Sequence, residues 1–287
     1  MKNKFNMFDF VNISILLLIS IITLYPIWHV IVRSLLPYDE AVKNAIVIFP
    51  KKITFDAYKY VLSSNELIRG FGIAAFTTVC TTVYNLTMTS MAGFALSKRD
   101  LPYRKLIFYI AVFTMFFGGG LIPTYLQIKR LHLIDNLLVL ILPSGISAYN
   151  LIIMKSFMEE LPEEIQEAAT IDGAGYGTIF FKIVLPLSKP VLATIALFVA
   201  VGTWNSWYNA MLYLNDRNLW PIAYQLREIL VNSSTDMAGS INVSDSFLLQ
   251  ESIKMAVVVI SIIPIMAVYP FLQKHFAKGV MIGAVKG

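Results

Sequence analysis

Between residues 10 and 32 the chain carries no Asp, Glu, Lys or Arg, and five further apolar runs follow at 71–96, 106–126, 137–158, 191–214 and 255–271. A hydrocarbon layer about 30 Å thick is crossed by about 20 mostly apolar residues rising 1.5 Å each. Each run is close to that length, and the charges fall between them or at their ends. The expected fold class is therefore all-α, with residues 1–287 forming a single polytopic membrane domain of six transmembrane helices. Lys2 and Lys4 give the first run the look of a signal peptide. It is too long for that role and no small-residue cleavage site follows, so it is read as a retained helix.

Composition removes other classes. The apolar set reaches 57% and charged residues only 14%, against about 25% charged residues in soluble chains. Such an apolar excess excludes a disordered chain. The single cysteine, Cys80, cannot form a disulfide within the chain or a thiolate metal site. The net charge of +5 is spread along the whole length, without the clustered basic face that nucleic-acid binding needs.

The third run is broken by Gly118, Gly119 and Gly120, followed by Pro123. Freed carbonyls and amides need partners in hydrocarbon, so this break is expected against protein or water. Lys98, Arg99, Arg104 and Lys105 crowd the short link between the second and third runs. With Lys2, Lys4, Lys274, Lys278 and Lys286 they place that link and both termini in the cytoplasm. Two long loops, 34–69 and 215–254, then lie outside, each long enough for small structure of its own.

Residues 159–189 link the fourth and fifth runs and hold six acids against Lys182 and Lys189. The signals describe two short helices. Pro162 suits a first helical position, Glu163 and Glu164 favour the positive end of the helix dipole, and Gly173 or Gly175 can close the helix in a left-handed conformation. Ile165, Ala168, Ala169 and Asp172 share one shallow face. A second helix starts near Thr178, carries Ile179, Phe180, Ile183 and Val184, and is stopped by Pro186, with Pro190 leading into the fifth run. Alanines and glycines let another backbone come close, so the unit suits docking into a groove of a soluble partner. An amphipathic hairpin on the lipid surface is the competing reading, and six acids beside an anionic leaflet argue against it.

These residues carry a resemblance. Glu167-Ala168-Ala169, Asp172-Gly173-Ala174, Ile183 and Leu185-Pro186 resemble, in order and spacing, the EAA signature of binding-protein-dependent ABC importer permeases. The stretch from Phe117 through Pro123, the run Trp204-Asn205-Ser206-Trp207-Tyr208 and the ending Lys278 to Gly287 are similar to the carbohydrate-importing branch. Within it they look like the lipoprotein-operon type related to the smaller permease of the maltose transporter. The resemblance implies a MetI-like membrane domain in the bacterial plasma membrane. It pairs with a second, different six-span permease, sits on an ABC ATPase dimer and receives sugar from an extracellular solute-binding lipoprotein. It also implies that 159–189 holds the coupling helix, with Glu167, Ala168, Ala169 and Gly173 as ATPase contacts and Asp172 and Gly175 as companions. The end of the cytoplasmic tail 273–287, Lys278 to Gly287, resembles an extension that in the maltose relative reaches between the two ATPases; a frayed terminus is the other reading.

What is missing agrees with a noncatalytic subunit. No G-x-x-x-x-G-K-[ST] sequence occurs, so ATP and Mg would be bound by a partner chain, and no cofactor is expected on this one. Gly173, Gly175 and Gly177 follow a helix and lack dinucleotide-binding spacing. His29, His132 and His275 are isolated. Arg33, Lys155 and Lys254 lie near the ends of runs, where their long side chains reach the interface. The scarcity of ionisable groups weakens a stand-alone secondary carrier and suits an uncharged substrate. A membrane scaffold or sensor that docks a soluble partner without transporting remains the alternative from another class.

In the fifth run Trp204, Trp207, Tyr208 and Met211 fall at helical spacing on one stripe, with Asn205 and Asn209 on a neighbouring one. Aromatic faces hold sugar C–H surfaces and amides bond hydroxyls, so Trp204, Asn205, Trp207, Tyr208 and Asn209 are candidate substrate-path residues. An interfacial aromatic belt explains the same pattern. Asn85 and Asn150 are expected to bond between helices, His29 to be structural, and Asp216 and Arg217 to face either the solute-binding protein or solvent.

Overall fold

The computed structural model describes residues 7–37, 40, 47–236 and 251–267, with the side chains of 232–236 excepted. Among them the structure is all-α. They fall into two compact units, Met1–Ile68 with Gln225–Ile263, and Arg69–Tyr224 with Pro264–Gly287.

The first unit is led by α1, Met7–Ser34, which buries only Val32 and Ser34. A helix apolar on every side suits hydrocarbon. Its hydroxyls are satisfied locally: Ser14 donates to Phe10 O at 2.8 Å and Ser20 to Leu16 O at 2.7 Å, as side chains without water must. At its C-terminal end Trp28 Nε1 donates to Ile48 O at 2.8 Å, and Val32 packs with Leu36 and Val47. Arg33 meets Glu251 at 3.6 Å. The long loop that follows holds α2, Asp56–Ser63, and Tyr58 Oη shares a 2.6 Å hydrogen bond with Ser34 Oγ.

The second unit contains most of α3, Asn65–Ser97, followed by three bent helix pairs. Arg104–Phe116 (α4) and Leu121–Arg130 (α5) meet at 116°, Leu138–Ser144 (α6) and Ala148–Glu159 (α7) at 46°, and Tyr176–Leu187 (α9) and Lys189–Trp204 (α10) at 77°. Between the last two pairs lies α8, Glu163–Ile171. After α10 comes α11, Tyr208–Tyr213, and the unit takes in only the first turn of α12, Ile222–Asp236, most of which belongs to the first unit. Met7–Ser34 and Asn65–Ser97 are unbroken helices long and apolar enough to cross a membrane, and counting each bent pair as one span gives up to five. The described part of the sixth expected span is helical through residue 267.

Two spans read as continuous are broken. Pro143 ends an α-helical ladder by withholding its N–H, so 142–144 tightens into a 3₁₀ turn and Ser147 is extended before α7 begins. The fifth run stops at Trp204 and resumes at Tyr208. The third breaks where expected, with Gly120 at φ +83°, a conformation that favours glycine. Gly118, Gly119 and Gly120 are exposed in this chain, so in hydrocarbon their backbone needs water or another subunit.

Packing is concentrated in two clusters of this unit. One joins Phe94, Met154, Met158, Ile179, Phe180, Val184, Val191 and Ile195. The other joins Ile128, Val139, Leu140, Ala210, Tyr213, Leu214 and Tyr224. Helices α3 and α7 touch closely: a Cβ added at Gly93 would lie 2.7 Å from Met154 Cγ. Asn85, buried in α3, donates to Ser144 O at 2.7 Å, the interhelical bond expected of it. Asn150 is buried too.

Candidate functional site: a docking hairpin rooted in the core

The hairpin formed by α8 and α9 has an outer and an inner half. Pro162 precedes α8 as its cap residue, one place before the expected position, and Glu163 and Glu164 occupy the first turn. Asp172 closes the helix, and Gly173 turns the chain at φ +83°. Gly175 is extended, at φ −75° and ψ 166°. The second helix starts at Tyr176, two residues before the expected start, and Pro186 does not stop it. Residues Phe180–Val184 form a π turn and the helix continues to Leu187. Proline has no N–H to offer the preceding turn, and a wide turn just before it absorbs the missing bond.

The inner helix is the root. Ile179, Phe180 and Val184 are buried among residues of α3, α7 and α10, and the Phe180 and Phe94 rings lie 5.2 Å apart. Burying each such side chain is worth about 1.5–3 kcal/mol, so movement of α9 must carry its neighbours. By contrast, Glu167, Ala168, Asp172, Gly173 and Gly175 are exposed and Ala169 is half-buried. The shared face assigned to Ile165, Ala168, Ala169 and Asp172 is thus mostly open, while Gln166 and Ala169 turn inward. Ile171 is 86% exposed, a large apolar side chain that the described residues leave uncovered.

The link after α3 ties down the outer helix. Lys98 Nζ donates to Gln166 Oε1, Arg99 pairs with Glu163 at 3.4 Å, and Tyr176 Oη donates to Asp100 Oδ2 at 2.8 Å. Arg104 and Lys155 both engage Glu159. The Tyr176 bond holds the Asp100 carboxyl below its ordinary pKa of 3.8 and raises the tyrosine. Arg99 and Glu163 are well exposed and contribute at most about 1 kcal/mol. Between link and hairpin lies an open cleft of about 630 Å³. Sequence reading took the basic link only as a topology signal; its bonding role depends on distances across the fold that spacing does not encode.

The candidate path residues are not one stripe, because the helix is interrupted between them. Trp204 is buried, and Asn205 Nδ2 donates to Val201 O at 2.8 Å. The Trp207 and Tyr208 rings meet edge-on at 5.6 Å, and Tyr208 and Asn209 are exposed. Farther on, Asp135, at φ +55°, accepts bonds from the backbone N–H groups of Asn215 and Asp216 and from Asn215 Nδ2. These bonds hold its carboxyl below the ordinary value. Asp216 accepts from Asn218, and Arg217 lies over the Trp220 ring at 5.4 Å, so both side chains have local roles. The tail, 273–287, lies outside the described residues.

Comparison with known proteins decides the family. The model of the inner membrane component of binding-protein-dependent transport systems matches residues 106–282. The chain belongs to this family. Two proteins of Bacillus subtilis (strain 168) are each 44% identical to it. Protein LplC aligns over 98% of this chain and 95% of its own length. The polygalacturonan/rhamnogalacturonan transport system permease protein YtcP aligns over 100% of both. The crystal structure of a bacterial ABC transporter involved in the import of the acidic polysaccharide alginate superposes with a TM-score of 0.87 at 30% identity, covering 96% of this chain and 99% of that one. This inner membrane component therefore has the MetI-like permease fold and is a noncatalytic transport subunit.

Proposed function

We propose that this chain is the membrane-spanning subunit of an ATP-driven importer of oligosaccharides, working by alternating access. The observation that carries the reading is the hairpin: an outer helix with Ala168, Ile171 and Gly175 open to a partner, joined to an inner helix buried in the core of the spans. An ATPase dimer gripping the outer helix would move α3, α7 and α10 with it, as rigid elements rather than by local bending. Glu167, Ala168, Ala169, Asp172, Gly173 and Gly175 are the contact surface. A second permease and an extracellular solute-binding protein complete the assembly. The basic link supports a cytoplasmic position for the hairpin and both termini in a bacterial cell.

Oligosaccharide as cargo is supported by the names of the relatives. Two of those names concern acidic polysaccharides, which bears on the expectation of an uncharged substrate. Arg33 and Lys155 are engaged by Glu251 and Glu159, so recognition of sugar carboxylates would fall mainly to partner subunits. The test is reconstitution with the cognate ATPase, second permease and binding protein in liposomes. ATP-dependent accumulation of an oligosaccharide is expected, and Gly175→Ile should release the ATPase while leaving the chain folded in the membrane. An ATPase that copurifies normally with Gly175→Ile and sustains full uptake would overturn the docking assignment.

A further inference from the structure

The interruption between α10 and α11 opens onto a small polar gap. Thr77 of α3, Leu140 and Ser144 of α6, and Gly202, Thr203, Ser206, Asn209 and Pro221 enclose about 120 Å³. At 1.5 Å per residue Thr203 lies about 21 Å along the axis from Lys189, well within the hydrocarbon depth. Two neighbouring polar side chains bond within the chain: Thr77 Oγ1 donates to Ile73 O at 2.8 Å and Asn205 Nδ2 to Val201 O. The hydroxyls of Thr203 and Ser206 and the amide of Asn209 have no such partner among the described residues and border the gap. Gly202 helps keep it open, since a Cβ there would meet nothing within 4 Å.

Unpartnered amide and hydroxyl groups at this depth are costly against lipid tails. The gap has room for roughly four waters at about 30 Å³ each, or for the hydroxyl-bearing edge of one sugar ring. Among the described residues no charged side chain lines it, which suits hydroxyls and amides rather than ions. Trp207 and Tyr208, meeting edge-on next to it, add aromatic surface for the C–H face of a ring. We infer that this gap is a hydroxyl-recognising subsite on the translocation path, taking one pyranose edge from neutral and acidic oligosaccharides alike. The inference rests on the importer reading above and moves the substrate contact from the buried Trp204 to Thr203, Ser206 and Asn209.

The test uses the complete complex in proteoliposomes with Cys80→Ser, which removes the only native cysteine of this chain, and Ser206→Cys. Uptake is assayed with oligogalacturonide, alginate and galacto-oligosaccharide digests, and the new thiol is probed with a membrane-impermeant thiosulfonate. Labelling should occur, change with nucleotide state, and slow at least several-fold in the presence of the transported digest. No labelling in any state, as expected were the gap sealed by the second permease, overturns the subsite, as does labelling indifferent to a sugar that is being taken up. Failure of the Cys80→Ser complex to accumulate any digest with ATP instead overturns the importer reading. Thr203→Val keeps the volume and removes one hydroxyl, and should lower maximal uptake about two- to ten-fold, the loss of one net hydrogen bond. Unchanged uptake by that variant counts against the subsite.

Discussion

Tyr176, the first residue of α9, donates its hydroxyl to Asp100, in the link that follows α3, over 2.8 Å. The bond joins the point where the hairpin turns back to the link between two spans. Tyr176→Phe keeps the ring and removes the donor. Both groups are exposed, so melting of the purified protein in detergent should shift little. The coupling of sugar-stimulated ATP hydrolysis to uptake should fall measurably.

The same pair fixes a pH dependence. Hydrogen bonding lowers the Asp100 pKa in the folded chain below the unfolded value near 3.8. Its contribution is then complete above that value and is lost as pH falls through the folded pKa. The difference between wild type and Tyr176→Phe should stay constant from about pH 8 to pH 5 and vanish only in stronger acid, as followed by melting at each pH.

Glu159 answers two cations, Arg104 and Lys155, at part-buried positions. Glu159→Gln leaves both without their counter-charge, whereas Arg104→Gln leaves the Lys155 pair intact. Glu159→Gln is expected to cost about 1–3 kcal/mol and Arg104→Gln distinctly less. Equal costs in thermal or denaturant unfolding would refute the shared arrangement.

Gly173 and Gly175 should separate by mechanism. At Gly173, with φ +83°, alanine costs about 1–2 kcal/mol of backbone strain. Gly175 has an ordinary φ and no atom within 4 Å of an added Cβ, so Gly175→Ala should fold as well as wild type or slightly better. Melting of the isolated subunit distinguishes them, and loss of ATPase affinity on Gly175→Ile would come from the partner side alone.

Gly93 marks the close approach of α3 to α7. Gly93→Ala places its methyl against the fully buried Met154 and should destabilise by about 1–3 kcal/mol. Adding Met154→Ala should restore part of that loss, since the nearest atom met is in the Met154 side chain. Additive losses in the double variant would show that the backbone, not the side chain, sets the spacing.

Hydropathy made the spans legible because burial in lipid leaves a long, uncharged record, and the glycine run at 118–120 announced its own break. The breaks at 145–147 and 205–207 left weaker signs. Pro143 and the cluster Gly202, Asn205 and Ser206 were available, yet polar residues inside an apolar run are outvoted when only the average is read. The hairpin itself was legible through Pro162 and Gly173. Its ties were not, because Lys98, Asp100 and Arg104 meet residues more than fifty positions away. Pro186 misled for a local reason: a proline signals a stop only where the preceding turn is an ordinary one.

That wide turn at Phe180–Val184 also sets an angle. In an α-helix each residue advances the chain by about 100° around the axis, so gaining or losing one residue here would swing the whole outer half of the hairpin by that amount relative to the helices that bury its root. Point substitutions preserve that angle; a single-codon deletion inside 180–184 would leave a well-folded hairpin turned to a different direction.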